Sequence, residues 1–122
     1  PISNTIFESK TKISKIKNIS SKKLSQLTFF EVDKKRYPAI KLIKKCLNGG
    51  SLAPTILNAS NEELVSLFLN KKIKFTSIVK NLNKILNNRD FRKYAKKSPK
   101  SINDIYVSDE WARLKTRSIS VK

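Results

Sequence analysis

The chain has no histidine and no methionine, and its 122 residues include one cysteine and two glycines. Without histidine, the commonest general acid and base of enzymes is missing. The two glycines, Gly49 and Gly50, are adjacent, so they cannot supply the spaced glycines of a dinucleotide-binding or phosphate-binding loop. The composition therefore predicts no catalytic residue and no cofactor-binding residue in this chain.

Carboxylates are also scarce, with nine Asp and Glu residues in all. Glu62 with Glu63, and Asp109 with Glu110, are sequence neighbours, and neighbours on a helix point towards different faces. Such pairs do not place two carboxylates around one metal ion. We therefore expect no metal ligands in this chain.

Long apolar runs are absent, because no stretch of eighteen apolar residues occurs. A membrane-spanning helix needs about 20 such residues, and residues 1–20 also lack the unbroken apolar segment of a secretory signal. The single cysteine fits a reducing compartment, and the apolar residues around Cys46 predict a small, buried hydrophobic side chain. We expect a cytoplasmic protein with no membrane partner. Because the chain opens on Pro1 without a methionine, we also expect a piece of a longer protein.

Positive charge, by contrast, is abundant: 27 Lys and Arg residues give a formal net charge of +18. Such a balance is typical of nucleic-acid-binding proteins. However, only five of these residues are arginines, and arginine is the side chain that reads phosphates and base edges with a fork of donors. We interpret the dispersed lysines as the surface composition of an A/T-rich genome, and we expect no nucleic-acid partner. A basic helical module that binds nucleic acid, or a protein-interaction module, is the alternative function.

Hydrophobic periodicity predicts a mainly α fold, with four helices joined by short connections as in a small bundle. The first helix begins at Pro38 and ends before Gly49. The central helix begins either at Ser51 or at Ser60, which the sequence leaves open, and it ends near Asn70.

The third helix begins at Thr76 or Ser77 and has the clearest apolar face in the chain. The residues of that face are Phe75, Ile78, Val79, Leu82, Ile85 and Leu86. A basic loop at 91–100 should separate it from the fourth helix. The fourth helix is expected to begin at Ser101 and to bury one side, formed by Ile102, Ile105, Tyr106 and Ala112, with Trp111 beside them.

An extended linker with a short β-strand is expected before the bundle. Residues 1–9 have the pattern of one or two helical turns, and residues 10–25 are polar and weakly patterned. Residues 27–30 are rich in strand formers. The predicted domains are therefore 1–36, containing the linker and strand, and 37–122, the four-helix bundle-like domain.

Two asparagines, a serine and a glutamate stand out near the predicted start of the central helix. Ser60 and Glu63 have the spacing of a capping box, in which each side chain accepts from the backbone amide of the other residue. Asn58 and Asn61 are expected to satisfy unpaired backbone groups at that helix start. All four residues are expected to have structural roles.

The last predicted helix contributes three further structural candidates. Asp109 and Arg113 are four positions apart, which places them on one helix face as an ion pair. Trp111 is expected to be an aromatic residue of the core or of a domain contact, with a partner for its indole N–H.

Several segments, in their order and spacing, resemble the C-terminal portion of the 1-deoxy-D-xylulose 5-phosphate reductoisomerases. The segments are Asp33 and residues 1–7, 27–29, 36–42, 49–50, 57–62, 68–69, 73–78 and 109–113. The sequences Leu-Asn-Ala-Ser-Asn-Glu at 57–62 and Asp-Glu-Trp-Ala-Arg at 109–113 are the most specific. Ser60 departs from the family pattern, in which alanine is more familiar.

This resemblance implies the end of the catalytic domain and a linker over 1–36, and a helical C-terminal domain over 37–122. In that family an N-terminal domain binds NADPH, and a central catalytic domain holds the substrate and a divalent metal, Mg or Mn. The enzyme converts 1-deoxy-D-xylulose 5-phosphate to 2-C-methyl-D-erythritol 4-phosphate in non-mevalonate isoprenoid synthesis. The resemblance implies that this fragment alone is inactive and binds no cofactor, that its partners are the N-terminal and catalytic domains, and that the intact enzyme is a homodimer.

Overall fold

The computed structural model describes residues 27–96 and 98–120. Residues 33–122 form one compact unit, and residues 1–32 belong to another. Residues 27–32 have no regular secondary structure, so the strand predicted at 27–30 is not found. A strand needs a neighbouring strand to pair with, and the described residues contain none. The predictions for residues 1–9 and 10–25 lie outside the described residues.

Five helices make up the described part of the compact unit. They are α1 (Ala39–Leu47), α2 (Ala53–Leu69), α3 (Ser77–Leu86), α4 (Phe91–Ala95) and α5 (Ile102–Ser120). The prediction of a mainly helical fold is confirmed, but the basic loop predicted at 91–100 is wrong in its first half, where α4 lies. Phe91 and Ala95 are both buried and lie one turn apart, so a helical turn places both against the core.

The central helix α2 begins at Ala53, with Pro54 in its first turn. Proline is tolerated there because the first amides of a helix have no intrahelical partner. The earlier of the two predicted starts is therefore the correct one. Ser60 lies about two turns inside the helix, at 3.6 residues per turn, and the capping box predicted for it is wrong.

The connection between α1 and α2 requires glycine at position 50. Gly50 has a φ of +119°, a conformation that side-chain-bearing residues rarely adopt. A β-carbon built on Gly50 would lie 2.5 Å from the carbonyl oxygen of Ala95. The same carbonyl accepts a hydrogen bond from the Leu52 amide at 2.9 Å, so this connection lies directly against the end of α4.

The core forms where α2 packs between α5 and α3, and the α2–α5 contact is the most extensive of any helix pair. The buried apolar cluster consists of Leu42, Cys46, Ala53, Ile56, Ala59, Leu64, Ile78, Leu82, Ile85, Leu86, Phe91, Ala95 and Ala112. Cys46 is 3% exposed, which confirms that it is a buried hydrophobic residue, and burial raises the pKa of its thiol.

The apolar face predicted for α3 is mostly confirmed. Ile78, Leu82, Ile85 and Leu86 are buried and Val79 packs against the core. Phe75 is the exception, because it precedes the helix and is 69% exposed. Its ring instead meets the edge of Phe68, with 5.6 Å between the ring centroids.

The buried face predicted for the last helix is largely wrong. Ile102, Ile105 and Tyr106 are exposed, and the buried residues of α5 are Ser108, Ala112 and Thr116. These three small side chains are four positions apart and form one stripe. The separation of two packed helices depends on the size of the side chains between them, so this stripe allows α5 to lie close against α2. None of the helices in the described residues is long and apolar enough to cross a membrane.

Candidate functional site

Residues of the two most specific sequence blocks, 57–62 and 109–113, meet where α2 packs against α5. Arg113 donates from Nη2 to Oε2 of Glu62 at 2.6 Å and from Nε to Oδ2 of Asp109 at 2.6 Å. Asn58 donates from Nδ2 to the other carboxylate oxygen of Glu62, Oε1, at 3.0 Å. The structure therefore contains the predicted Asp109–Arg113 pair and adds Glu62 and Asn58 to it.

These hydrogen bonds favour the charged forms of both partners. Hydrogen bonds from Arg113 and then from Asn58 hold the pKa of Glu62 below its ordinary value. The hydrogen bonds to Asp109 and Glu62 raise the pKa of Arg113 above its ordinary value. Glu62 is exposed, so water screens this pair and its main effect is to orient the two helices.

A second ion pair lies one helical turn further along α5. Arg117 donates from Nε to Oε1 of Glu63 at 2.7 Å and from Nη2 to Oε2 at 3.0 Å. This fork-to-carboxylate geometry fixes the direction of the ion pair, although the Arg117 side chain is 60% exposed. The hydrogen bond and the charge of Glu63 raise the pKa of Arg117. The Glu63 carboxylate thus binds a neighbouring helix and not the Ser60 amide.

Sequence reasoning missed Arg117. The signal was present, since Arg117 is four positions after Arg113 and therefore on the same face of α5. Glu62 and Glu63 point in different directions from α2, and two arginines one turn apart on α5 each bind one of them.

The remaining predicted residues are inside α2 or beside α4. Asn58 and Asn61 lie within α2, so their predicted role at a helix start is wrong. The Ser60 hydroxyl is fully buried and has no hydrogen-bond partner among the residues that the structure describes, and the same is true of the Thr116 hydroxyl on α5. Trp111 packs against the core cluster and stacks on Tyr94, with ring centroids 4.6 Å apart and planes 15° apart.

Two concave surfaces accompany these contacts. The apolar groove is defined by Ala39, Leu42, Ile43, Leu47, Pro54 and Leu57, and it encloses about 510 Å³ between α1 and α2. The basic cleft is defined by Lys45, Asn87, Arg89, Phe91, Arg92 and Lys96, and it encloses about 720 Å³ beside the ends of α1 and α3.

The donor set of the described residues does not fit a metal ion or a dinucleotide. Over 27–96 and 98–120, no three His, Cys, Asp or Glu side chains lie together as metal ligands would. Gly49 and Gly50, the only glycines, are packed against the core, where an added β-carbon would meet the atoms of Ala53 and Ala95. The two glycines thus serve close packing and do not form a phosphate-binding loop with spaced glycines.

The described residues thus define a small all-α domain with an apolar core and with ion pairs between its two longest helices. The family model described as "DXP reductoisomerase C-terminal domain" matches residues 1–115. The chain belongs to the family of DXP reductoisomerase C-terminal domains, as the sequence resemblance predicted.

Individual relatives agree with the family match. The chain is 40% identical over 121 residues to the 1-deoxy-D-xylulose 5-phosphate reductoisomerase of Pelagibacter ubique, covering 99% of this chain and 31% of the relative. It is 38% identical over 120 residues to that of Aquifex aeolicus, covering 98% and 30%.

A solved structure has the same fold. The reductoisomerase from Zymomonas mobilis in complex with NADPH aligns with a TM-score of 0.73 at 30% identity, covering all of this chain and 31% of that one. The chain therefore spans about a third of the length of the relatives that it matches.

Proposed function

We propose that this chain acts as the helical C-terminal region of a 1-deoxy-D-xylulose 5-phosphate reductoisomerase. In this proposal the intact protein uses NADPH to isomerise and reduce 1-deoxy-D-xylulose 5-phosphate to 2-C-methyl-D-erythritol 4-phosphate. The family match over residues 1–115 is the observation that carries the proposal. Relatives of which the chain spans only 31% support a larger enzyme around it.

Within that enzyme the chain has a structural role, and the reaction belongs to the rest of the protein. NADPH and the divalent metal, Mg or Mn, are bound outside this chain, because its donor groups and glycines do not fit them. The intact enzyme is a cytoplasmic homodimer in this proposal. The role proposed for Asn58, Glu63, Asp109, Trp111 and Arg113 is to fix α5 and α4 against α2, and Ser60 and Asn61 are structural residues of α2 itself.

The domain limits proposed for the chain are 1–36, the end of the catalytic domain with its linker, and 37–122, the helical domain. The apolar groove is the surface that we assign to the contact with the catalytic domain of the same enzyme. Leu47, on its rim, is 72% exposed. About two thirds of the relatives' length lies outside this chain, so a large protein surface is present to cover such an apolar rim.

The size and activity of the native product test the function. An antibody against this chain should precipitate a protein about three times its 14.0 kDa mass, because the chain spans 31% of its relative. The precipitate should oxidise NADPH only when 1-deoxy-D-xylulose 5-phosphate is added. A native product of 14.0 kDa without this activity contradicts the proposal.

A matched pair of variants tests the docking surface in the intact enzyme. Leu47→Asp should weaken the attachment of the helical domain, so that thermal unfolding separates into two transitions and the turnover rate falls. Leu69→Asp is the control, because Leu69 is 71% exposed and lies at the far end of α2, outside the groove. Equal effects of the two variants would contradict the assignment of the groove.

A further inference from the structure

The basic cleft carries more positive charge than its position in the fold requires. It lies beside the C-terminal ends of α1 and α3, and each such end has a partial charge of about −0.5. Lys44 and Lys84 already lie in the last turns of these helices, and neither lines the cleft. Of the four cationic side chains that line the cleft, Lys45 also lies in the last turn of α1. Arg89, Arg92 and Lys96 lie outside both helices, so the two helix ends do not account for the charge of the cleft.

The positions of the arginines also show that the cleft has an excess of positive charge. Of five arginines in the chain, Arg36 lies over a tyrosine ring, and Arg113 and Arg117 pair with carboxylates. The other two, Arg89 and Arg92, both line the basic cleft. In the part of the chain that the structure describes, neither of them pairs with an acidic side chain. The lysine-rich composition explains dispersed lysines, but it does not explain two unpaired arginines in one concave surface.

Several other polar groups at the cleft are already bonded within the protein. Lys45 donates to the side-chain oxygen of Asn87, and the amide nitrogen of Asn87 donates to the Asn83 carbonyl at 2.8 Å. The nearest carboxylate in sequence, Asp90, is directed to Lys115 on α5 at 3.8 Å. No acidic side chain of the described residues lines the cleft. Among the described residues, the two guanidinium groups and the Lys96 ammonium therefore remain as donors for a ligand.

The volume of the cleft and the buried Phe91 that lines it are suited to a small ligand. Its volume of about 720 Å³ is within the range of small-molecule sites, about 300–1,000 Å³. Phe91, which lines it, is 5% exposed and belongs to the core cluster. Because Phe91 is fixed in the core, the backbone of the neighbouring Arg89 and Arg92 is ordered. This order reduces the entropy that is lost when the two arginines bind a ligand.

We propose that the basic cleft binds a small phosphate-bearing anion. Arg89 and Arg92 supply forked donors to the phosphate oxygens, and Lys45 and Lys96 supply compact positive charges. The ligand is either free phosphate or pyrophosphate, or the phosphate group of a small phosphorylated metabolite. The proposal does not depend on the function proposed above.

The test is an NMR titration of the isotope-labelled 122-residue chain with pyrophosphate, inorganic phosphate and ribose 5-phosphate in turn. The salt concentration is held at about 0.1 M, where the Debye length is about 10 Å and dispersed surface charges are screened. Saturable shifts confined to residues 45–49 and 86–96 are expected. Saturation by the free anions alone identifies a free anion as the ligand, and saturation by ribose 5-phosphate alone identifies a phosphorylated metabolite.

A double variant locates the site. Arg89→Gln combined with Arg92→Gln should weaken binding about tenfold or more, because each charge-assisted hydrogen bond is among the stronger polar contacts. The control combines Arg36→Gln with Lys41→Gln, which removes the same charge from exposed positions outside the cleft, and it should change the affinity less than about twofold.

Three results would overturn the proposal. The first is chemical shifts that rise linearly with anion concentration and do not saturate. The second is an equal loss of affinity in the two double variants. Either result would indicate only a non-specific attraction of anions to the basic surface. The third is binding of a single-stranded oligonucleotide with no response to any of the three small anions, which would make the cleft a nucleic-acid contact.

Discussion

Arg113 on α5 donates to the Glu62 carboxylate on α2 at 2.6 Å, although the two residues are 51 positions apart in the chain. Asn58, one turn before Glu62, donates to the same carboxylate. The Glu62 carboxylate on α2 is thus bound by two groups, Asn58 on the same helix and Arg113 on α5. The protonation of Glu62 therefore reports on whether α5 is in place.

Glu62→Gln should reduce the amount of unfolding free energy that the protein loses when the pH falls. Hydrogen bonds from Arg113 and Asn58 place the folded-state pKa of Glu62 below its unfolded value. A group with a lowered folded pKa stabilises the protein above its unfolded pKa, and this contribution is lost as pH falls through the folded pKa. The urea midpoints of wild type and variant should therefore differ slightly at about pH 7 and converge below about pH 4. Glu110→Gln, at an exposed position of α5, is the control, and a gap that stays constant with pH would refute the expectation.

Ala112→Leu should destabilise the domain by about 1–3 kcal/mol, the usual cost of extra methylene groups in a packed core. Ala112 is fully buried in the small-residue stripe of α5, so a leucine there must push α5 away from α2. Leu114→Ala removes bulk from a position that is 58% exposed, and it should change stability by less than about 0.5 kcal/mol. Equilibrium urea unfolding measures both variants, and a neutral Ala112→Leu would show that the two helices do not approach closely.

Gly50→Ala should cost about 1–3 kcal/mol, because an alanine at a φ of +119° is strained and its β-carbon meets the Ala95 carbonyl oxygen. Gly49→Ala is the matched control, since its β-carbon would meet neighbours at 3.0–3.1 Å and not at 2.5 Å. Thermal unfolding should rank the Gly50 variant below the Gly49 variant. The reverse order would mean that the connection between α1 and α2 is free to move away from α4.

The stack of Tyr94 on Trp111 should contribute about 0.5–1.5 kcal/mol beyond the area that it buries. A double-mutant cycle with Tyr94→Leu and Trp111→Leu isolates this coupling, because changes common to each single variant cancel. Trp111 is the only tryptophan, so the fluorescence of the Tyr94→Leu variant also shows whether the indole has become more exposed. A coupling of zero would mean that α4 and α5 meet without a specific ring contact.

The sequence pattern predicted the position of α1, and it predicted the buried face of α3 well because large apolar side chains share that face. It failed on α5, where the pattern pointed to Ile102 and Tyr106 and the structure buries Ser108 and Thr116. A periodicity argument selects the face with the largest apolar side chains, whereas the buried face of α5 is the one whose small side chains allow a close approach to α2. A small polar residue is favoured in such a contact, and no local pattern identifies it.

The ion pairs between helices show a second limit of sequence reasoning. The Asp109–Arg113 pair was predictable because four positions separate its members on one helix. Arg117 and Glu63 are 54 positions apart, and only the packing of α5 on α2 brings them together. The capping box predicted at Ser60 is wrong because the Ser60–Glu63 spacing occurs inside α2, which begins earlier, at Ala53 and Pro54.

The burial of Cys46 has a practical consequence for spectroscopy on this chain. Labelling reagents attack an accessible thiolate, and the only thiol of the chain is 3% exposed with a raised pKa. The natural sequence is therefore a nearly unreactive background for site-directed labelling. One cysteine introduced at an exposed position such as Lys84 would therefore carry the single fluorophore or spin label on this chain.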